Sequence, residues 1–267
     1  MLAAGIVEAC AELMSELAGQ AIDRIVADRP RADQIATKSS PADWVTETDL
    51  AVERLVREAI AKSFPDHRVV GEEYGTTGDE DAPATWYVDP VDGTTNFVHG
   101  LPWSSFSICV ADDAGAAAAV VADPYRREVL SAVRGGGARL NGRPTRCADT
   151  ASLTGGIVLT EMVMQSLWSG TVELIGALAD EGCVTRIMGS NALSIASVGA
   201  GRVTAAVIGS FNSGDCLGAT LIARESGARV LSLADPPEDG YPIACVAPGA
   251  AEALLRLWPA GEREAVR

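Results

Sequence analysis

The stretch WYVDPVDGTTNFVHG, residues 86–100, decides most of what the sequence says. Trp86-Tyr87-Val88 is an aromatic and β-branched run that reads as a buried strand. It delivers two carboxylates, Asp89 and Asp92, just past its end, with Pro90 stiffening the turn between them. Gly93-Thr94-Thr95-Asn96 then opens a helix. Two carboxylates at this spacing can share a hard divalent cation, which prefers oxygen ligands. The helix start behind them offers free backbone N–H groups and the positive end of a dipole, which favour phosphate. Metal ligands so close to a phosphate cradle suggest metal-assisted phosphoryl chemistry. The plainer alternative is a surface turn rich in Asp, Gly and Thr.

Working outward, Arg68–Glu73 reads as a second strand with Glu72 and Glu73 at its carboxyl end. Asp215 opens a helix over 215–226, again just after a strand. Each feature alone is commonplace, since Glu72-Glu73 reads as solvated and Asp215 as an N-cap. Carboxylates at three strand ends are, however, what an oxygen cage for several cations requires.

The composition narrows the field. The chain has 267 residues, 48% hydrophobic, enough for a sizeable core. Thirty-six acidic against 21 basic residues leave a net charge of −15, which argues against nucleic acid or an anionic membrane as partner. The only histidines are His67 and His99, and the only lysines Lys38 and Lys62, so a histidine-rich metal site is excluded. No stretch reaches the ~18 uncharged apolar residues of a membrane span. The start, Met1 to Val7, lacks the basic region of a targeting signal. Six scattered cysteines without a paired spacing read as buried, reduced thiols, which fits a reducing cytoplasm.

Periodicity predicts an amphipathic helix over 3–26 and a second begun by Thr48 and ended by Pro65. The acidic run 76–83 reads as an exposed loop, and segments 106–110, 117–121 and 129–133 as an antiparallel meander closed by the Asn141-Gly142 turn. Beyond Pro144, strands at 157–159, 184–187, 205–208, 230–231 and 243–247 alternate with helices at 162–180, 191–200, 215–226 and 249–258. The organisation is an α+β half, 1–148, and an α/β half, 149–267, forming one compact unit.

Asp89–Phe97, DPVDGTTNF, resembles the signature of the inositol monophosphatase-like family of Mg-dependent phosphatases. The similarity continues in order through KSSPADWVTETD (38–49), GEE (71–73), RGGGARLNGRP (134–144) and the helix from Asp215 to Gly227. The resemblance implies a layered αβαβα sandwich of the inositol monophosphatase/fructose-bisphosphatase type, a cytoplasmic homodimer with its site between the halves. It implies two or three Mg²⁺ per subunit. Glu72, Asp89 and the Val91 carbonyl would hold one, Asp89, Asp92 and Asp215 a second, and Glu72 with water a third. Thr94 and Asp49, with Glu72, would activate the attacking water. Gly93 and Thr94 would hold the phosphate, with Asp92, Lys38 and the turn Gly189-Ser190-Asn191 around the substrate.

The chain also departs from the family. Gly214 stands where relatives carry Trp before the last metal-binding Asp, and Gly218-Ala219 reverses the usual order. Val207 stands where inositol-hydrolysing members carry a substrate-binding glutamate, and no acidic residue lies between Arg202 and Gly214. Losing a buried acceptor for a substrate hydroxyl is expensive. The reading is therefore a phosphomonoesterase for a small polyol, sugar or amino-alcohol phosphate, by metal-activated water attack. The alternatives are an inositol-1-phosphate phosphatase proper, or a member that binds metal or a partner without catalysis. Asn212 and Ser213 read as replacement contacts or as a polar loop. His99 reads as a continuation of the signature rather than a base, and Arg134–Gly137 as a hairpin connection rather than a phosphate nest. Asp92→Asn is expected to cut turnover by several orders of magnitude and leave the fold intact.

Overall fold

The structure is a computed structural model describing residues 1–28, 35–37, 44–162, 167–232 and 237–258. Lys38 lies outside the described residues. Cys10, Met14, Leu17, Ala21 and Ile25 recur at helical spacing and form the buried stripe of α1 (Ala4–Ala27). A small hairpin, β1 (Ile35–Thr37) and β2 (Trp44–Thr46), leads into α2 (Glu47–Ser63). The cap of α2 is Thr46, not Thr48 as the sequence suggested. Thr46 Oγ1 accepts the amides of Thr48 and Asp49, and the Asp49 carboxylate accepts the Thr46 amide at 2.9 Å. Thr48, already inside the helix, cannot make that reciprocal capping box.

Next come β3 (Arg68–Gly71), β4 (Gly75–Thr77), β5 (Thr85–Asp92), α3 (Thr94–Val98), β6 (Ser105–Asp112), β7 (Gly115–Asp123), β8 (Glu128–Val133), β9 (Gly137–Leu140) and β10 (Arg143–Pro144). Their strands form one sheet in the order β10-β9-β8-β7-β6-β5-β3-β4. From β5 to β10 it is the expected antiparallel meander, and β3 joins β5 in parallel. Asn141 and Gly142, with φ of 49° and 76°, make the tight turn between β9 and β10.

The remaining elements are β11 (Ile157–Thr160), α4 (Thr171–Asp180), β12 (Val184–Ile187), α5 (Asn191–Gly199), β13 (Ala205–Ile208), α6 (Ser213–Glu225), β14 (Arg229–Leu231), β15 (Ile243–Val246), a 3-10 turn (Pro248–Ala250) and α7 (Ala251–Leu257). The second sheet runs β12-β11-β13-β15-β14, with β11 parallel to both its neighbours. Helix α4 starts at Thr171, after Gly170 in the left-handed region, rather than near 162.

Three apolar clusters stack these elements. Met14, Val56, Trp86 and Ile108 join α1 and α2 to one face of the large sheet. Cys109, Leu130, Ile195, Ile222 and Ile208 fill the middle, where α5 and α6 lie between the sheets. Val158, Val207, Leu174 and Leu254 close the far face of the small sheet under α4 and α7. The layers therefore run αβαβα, as expected. A Cβ on Gly218 would sit 2.9 Å from that of Cys109, so glycine lets α6 lie directly on the large sheet. The reversed Gly218-Ala219 order is thus accommodated by packing. All six cysteines are unbridged and all but Cys147 are buried. Among the described residues no helix is long and apolar enough to cross a membrane.

Candidate active site

Residues three apart on a regular strand face opposite sides of the sheet. Asp89 and Asp92 nevertheless share a side, because Asp89 pairs with Ser107 and Asp92 with Ser105. One extra residue on β5 makes a bulge. Val88 and Val91 both enter the cluster under α1 and α2, while the two aspartates turn the other way. There they meet Asp215, from the first turn of α6, and one carboxylate oxygen from each of the three lies within 4.8 Å of the others.

Burial and mutual repulsion define this cluster electrostatically. Burial, then Glu72, Asp215 and Asp92, hold the Asp89 carboxyl well above the usual carboxylate range. Asp215 is also pushed well up, by burial and then by Asp92, Glu72 and Glu161. The Asp89 carboxylate accepts the Val91 amide at 3.0 Å. Glu72 sits at the turn after β3, outside the tight group, with its amide donating to Val88 O at 3.2 Å.

Asp92 has a second task that sequence reading missed. Its carboxylate accepts the amides of Asn191 (3.2 Å) and Ala192 (2.8 Å) and the hydroxyls of Ser190 (2.5 Å) and Ser105 (3.3 Å). Ser190, at the N-cap position of α5, makes no side-chain cap of its own. Asp92 therefore caps α5 from another strand and anchors the turn Gly189-Ser190-Asn191 beside the acidic cluster. Burial outweighs those hydrogen bonds, and its pKa rises to about 6.

Gly93 joins the same two segments through the backbone. Its φ is +91°, and a Cβ there would lie 2.8 Å from Gly189 O. Asn96 Nδ2 donates to Met188 O and Trp103 O, both at 2.7 Å. The helix opened by Gly93 spans only Thr94–Val98, so its dipole is weaker than the sequence suggested.

Thr94 Oγ1 lies 3.2 Å from Asp49 Oδ1 and 3.0 Å from Val91 O, so its one proton has two acceptors. Asp49 is fully buried, and burial raises its pKa to about 6 against the hydrogen bonds from Thr46.

The departures in the second half also find places. Val207 packs in the cluster with Leu174 and Leu254, on the side of the small sheet covered by α4 and α7. Its strand neighbour Thr160 is followed by Glu161, which is buried. Glu161 accepts the Ser210 amide at 3.2 Å as well as the Gly209 amide and the Asn191 side chain. Burial raises its pKa to about 7. This acid lies outside 202–214 because it arrives from the adjacent parallel strand.

Asn212 caps α6 through the Gly214 amide at 2.8 Å, and Asp239 accepts both the amide and hydroxyl of Ser213 at 2.7 Å. Those contacts hold the start of α6, and hence Asp215, without the family's Trp at position 214. His99 lies exposed at the end of α3, edge-on to Trp44. Arg134 ties the connection between β8 and β9 to Asp112 at 2.9 Å.

Comparison with known proteins places this geometry. The model of the inositol monophosphatase family matches residues 6–260. Nus factor SuhB of Escherichia coli K12 is 36% identical over 205 residues, 76% of each chain. The inositol monophosphatase of Anabaena superposes with a TM-score of 0.81 at 25% identity, over 94% of this chain and 95% of its own. An IMPase/NADP phosphatase solved with Mg²⁺ and phosphate gives a TM-score of 0.81 at 20% identity, over 96% and 97% of the two chains, a likeness of fold alone. From its signature, its five layers and these matches together, the chain belongs to the inositol monophosphatase family.

Proposed function

We propose that the protein is a Mg²⁺-dependent phosphomonoesterase acting on a small polyol, sugar or amino-alcohol phosphate. The observation that carries this is the group Asp89, Asp92 and Asp215, crowded within 4.8 Å beside the Thr94–Asp49 pair. An all-oxygen donor set whose members repel one another fits a hard divalent cation. Glu72, Asp89, the Val91 carbonyl, Asp92 and Asp215 would hold the Mg²⁺, two or three per subunit. When bound, it supplies Lewis acidity that neutralises phosphate charge and acidifies water.

The chain's own residues supply the rest. Thr94 Oγ1 accepts a proton from the attacking water while passing its own to Asp49 Oδ1 at 3.2 Å. An acceptor with a pKa of about 6 suits work near neutral pH. Glu72 completes this group, and the Gly93 and Thr94 amides hold the phosphate. Gly189, Ser190 and Asn191, anchored by Asp92, would face the leaving alcohol, and Lys38 would add a cation for the phosphate. The surplus of acid supports a small ester as partner rather than nucleic acid or an anionic membrane. A cytoplasmic homodimer of compact subunits, each joining halves 1–148 and 149–267, completes the proposal. Exposed Ile157 and Val184, paired across β11 and edge strand β12, supply an apolar contact for the second copy.

A second reading, binding without catalysis, is favoured by the name Nus factor SuhB that curated relatives carry. Phosphate release from inositol 1-phosphate, hexose phosphates and histidinol phosphate, with and without Mg²⁺, separates the two. Release from at least one ester only with Mg²⁺ is expected, and none at millimolar Mg²⁺ sinks the enzyme reading. Thr94→Ala is expected to lower kcat by about 100-fold with little change in KM. A loss confined to KM would assign Thr94 to phosphate binding instead.

A further inference from the structure

Glu53, on α2, is wholly buried, and a buried carboxylate persists only where its partners satisfy it. Arg57, one turn on, donates from Nε at 2.7 Å. The other two donors come from the turn after β3, the amides of Glu73 at 2.6 Å and Tyr74 at 3.1 Å. Arg57 extends the grip, donating to Thr77 Oγ1 at 3.0 Å and to the Gly75 carbonyl. β3 approaches so closely that a Cβ on Gly71 would fall 2.0 Å from Glu53 Oε1.

These contacts bracket Glu72. Its own amide is fixed on β5, at Val88 O, and the next two amides are fixed on Glu53. Glu72 needs such restraint, because it faces the like charges of Asp49, Asp89, Asp92 and Asp215. Like charges repel, and the more strongly where solvent is partly excluded.

We infer that Glu53, braced by Arg57, is a positioning residue that holds the 72–74 turn and keeps Glu72 pre-organised against the acidic cluster for a divalent cation. The role rests on the metal-dependent reading but not on phosphate release, so its test reads binding and backbone protection. In the wild-type protein without Mg²⁺, the Glu73 and Tyr74 amides exchange about 100-fold slower than an open turn. In Glu53→Gln they exchange at least about tenfold faster than in wild type, and the Mg²⁺ dissociation constant measured by calorimetry rises about tenfold. Arg57→Lys, which keeps the charge but loses the fork to Gly75 and Thr77, gives a smaller rise in the same direction. At saturating Mg²⁺, any turnover of Glu53→Gln stays within about threefold of wild type.

Fast exchange at both amides in wild type overturns the inference, even if Glu53→Gln fails to fold. Unchanged Mg²⁺ affinity in a folded Glu53→Gln, or no Mg²⁺ binding by wild type, also overturns it. Mg²⁺ binding that weakens as expected, in a protein releasing no phosphate from any ester, sustains the positioning role and ends the phosphatase reading alone.

Discussion

Asp92→Asn is expected to lower kcat by about 10³-fold and to raise KM at the same time. A residue that only held metal would act mainly on kcat and on Mg²⁺ affinity, the pattern expected of Asp89→Asn. Asp92 differs because its two oxygens take the amides of Asn191 and Ala192 at the start of α5. An asparagine keeps one acceptor and turns an NH₂ toward the other amide, so the turn carrying Ser190 and Asn191 shifts. Lost capping is worth about 1 kcal/mol. Against it, the charge removed is one that burial already disfavours. These terms are similar in size and opposite in sign, so Tm without metal moves by only a few degrees and the fold survives. Steady-state kinetics of the two variants side by side check this. An unchanged KM in Asp92→Asn would show that α5 does not depend on the Asp92 cap.

With a chelator present, thermal stability is expected to fall between pH 5 and pH 8, and Mg²⁺ is expected to return most of the loss. Asp49 and Asp92 rise to about 6 and Glu161 to about 7, above the carboxylate values of an unfolded chain. Below the unfolded values both states are protonated and stability is at its fullest. As pH climbs, the unfolded chain releases protons that the folded chain retains, so stability is lost through the folded values. Each unit of displacement is about 1.4 kcal/mol, and the roughly four units lost between pH 5 and pH 8 correspond to a fall on the order of 10–20 °C. A divalent cation compensates the charges at Asp89, Asp92 and Asp215. The gap between melting curves with Mg²⁺ and with chelator therefore widens with pH, which scanning calorimetry can follow. A gap that narrows from pH 5 to pH 8 would count against cation binding at this cluster.

Much of the molecule was legible from residue pattern. The stripe Cys10-Met14-Leu17-Ala21-Ile25 and the Asn141-Gly142 turn are local features, and local physics settled them. Asp89 and Asp92 were legible because they are neighbours in the chain. β1, β4 and β10 were missed because segments so short show no alternation. The bulge in β5 was missed because it is a relation between two strands. Glu161 was invisible for the same reason, since only the pairing of β11 with β13 brings it to Ser210. That Val207 packs under α4 and α7 was not legible, because spacing alone does not say which side of β13 a residue takes.

One oxygen near this cluster belongs to no side chain. The extra residue in β5 turns the Val91 carbonyl toward Thr94, whose hydroxyl lies 3.0 Å away. Any amino acid at position 91 would carry that same oxygen. Replacing Val91 disturbs the packing beneath α1 and α2 but does not delete the atom. Side-chain scanning would thus record position 91 as a matter of hydrophobic fit and pass over its polar role. That role would yield only to chemistry on the main chain, such as an ester or thioamide in place of the peptide.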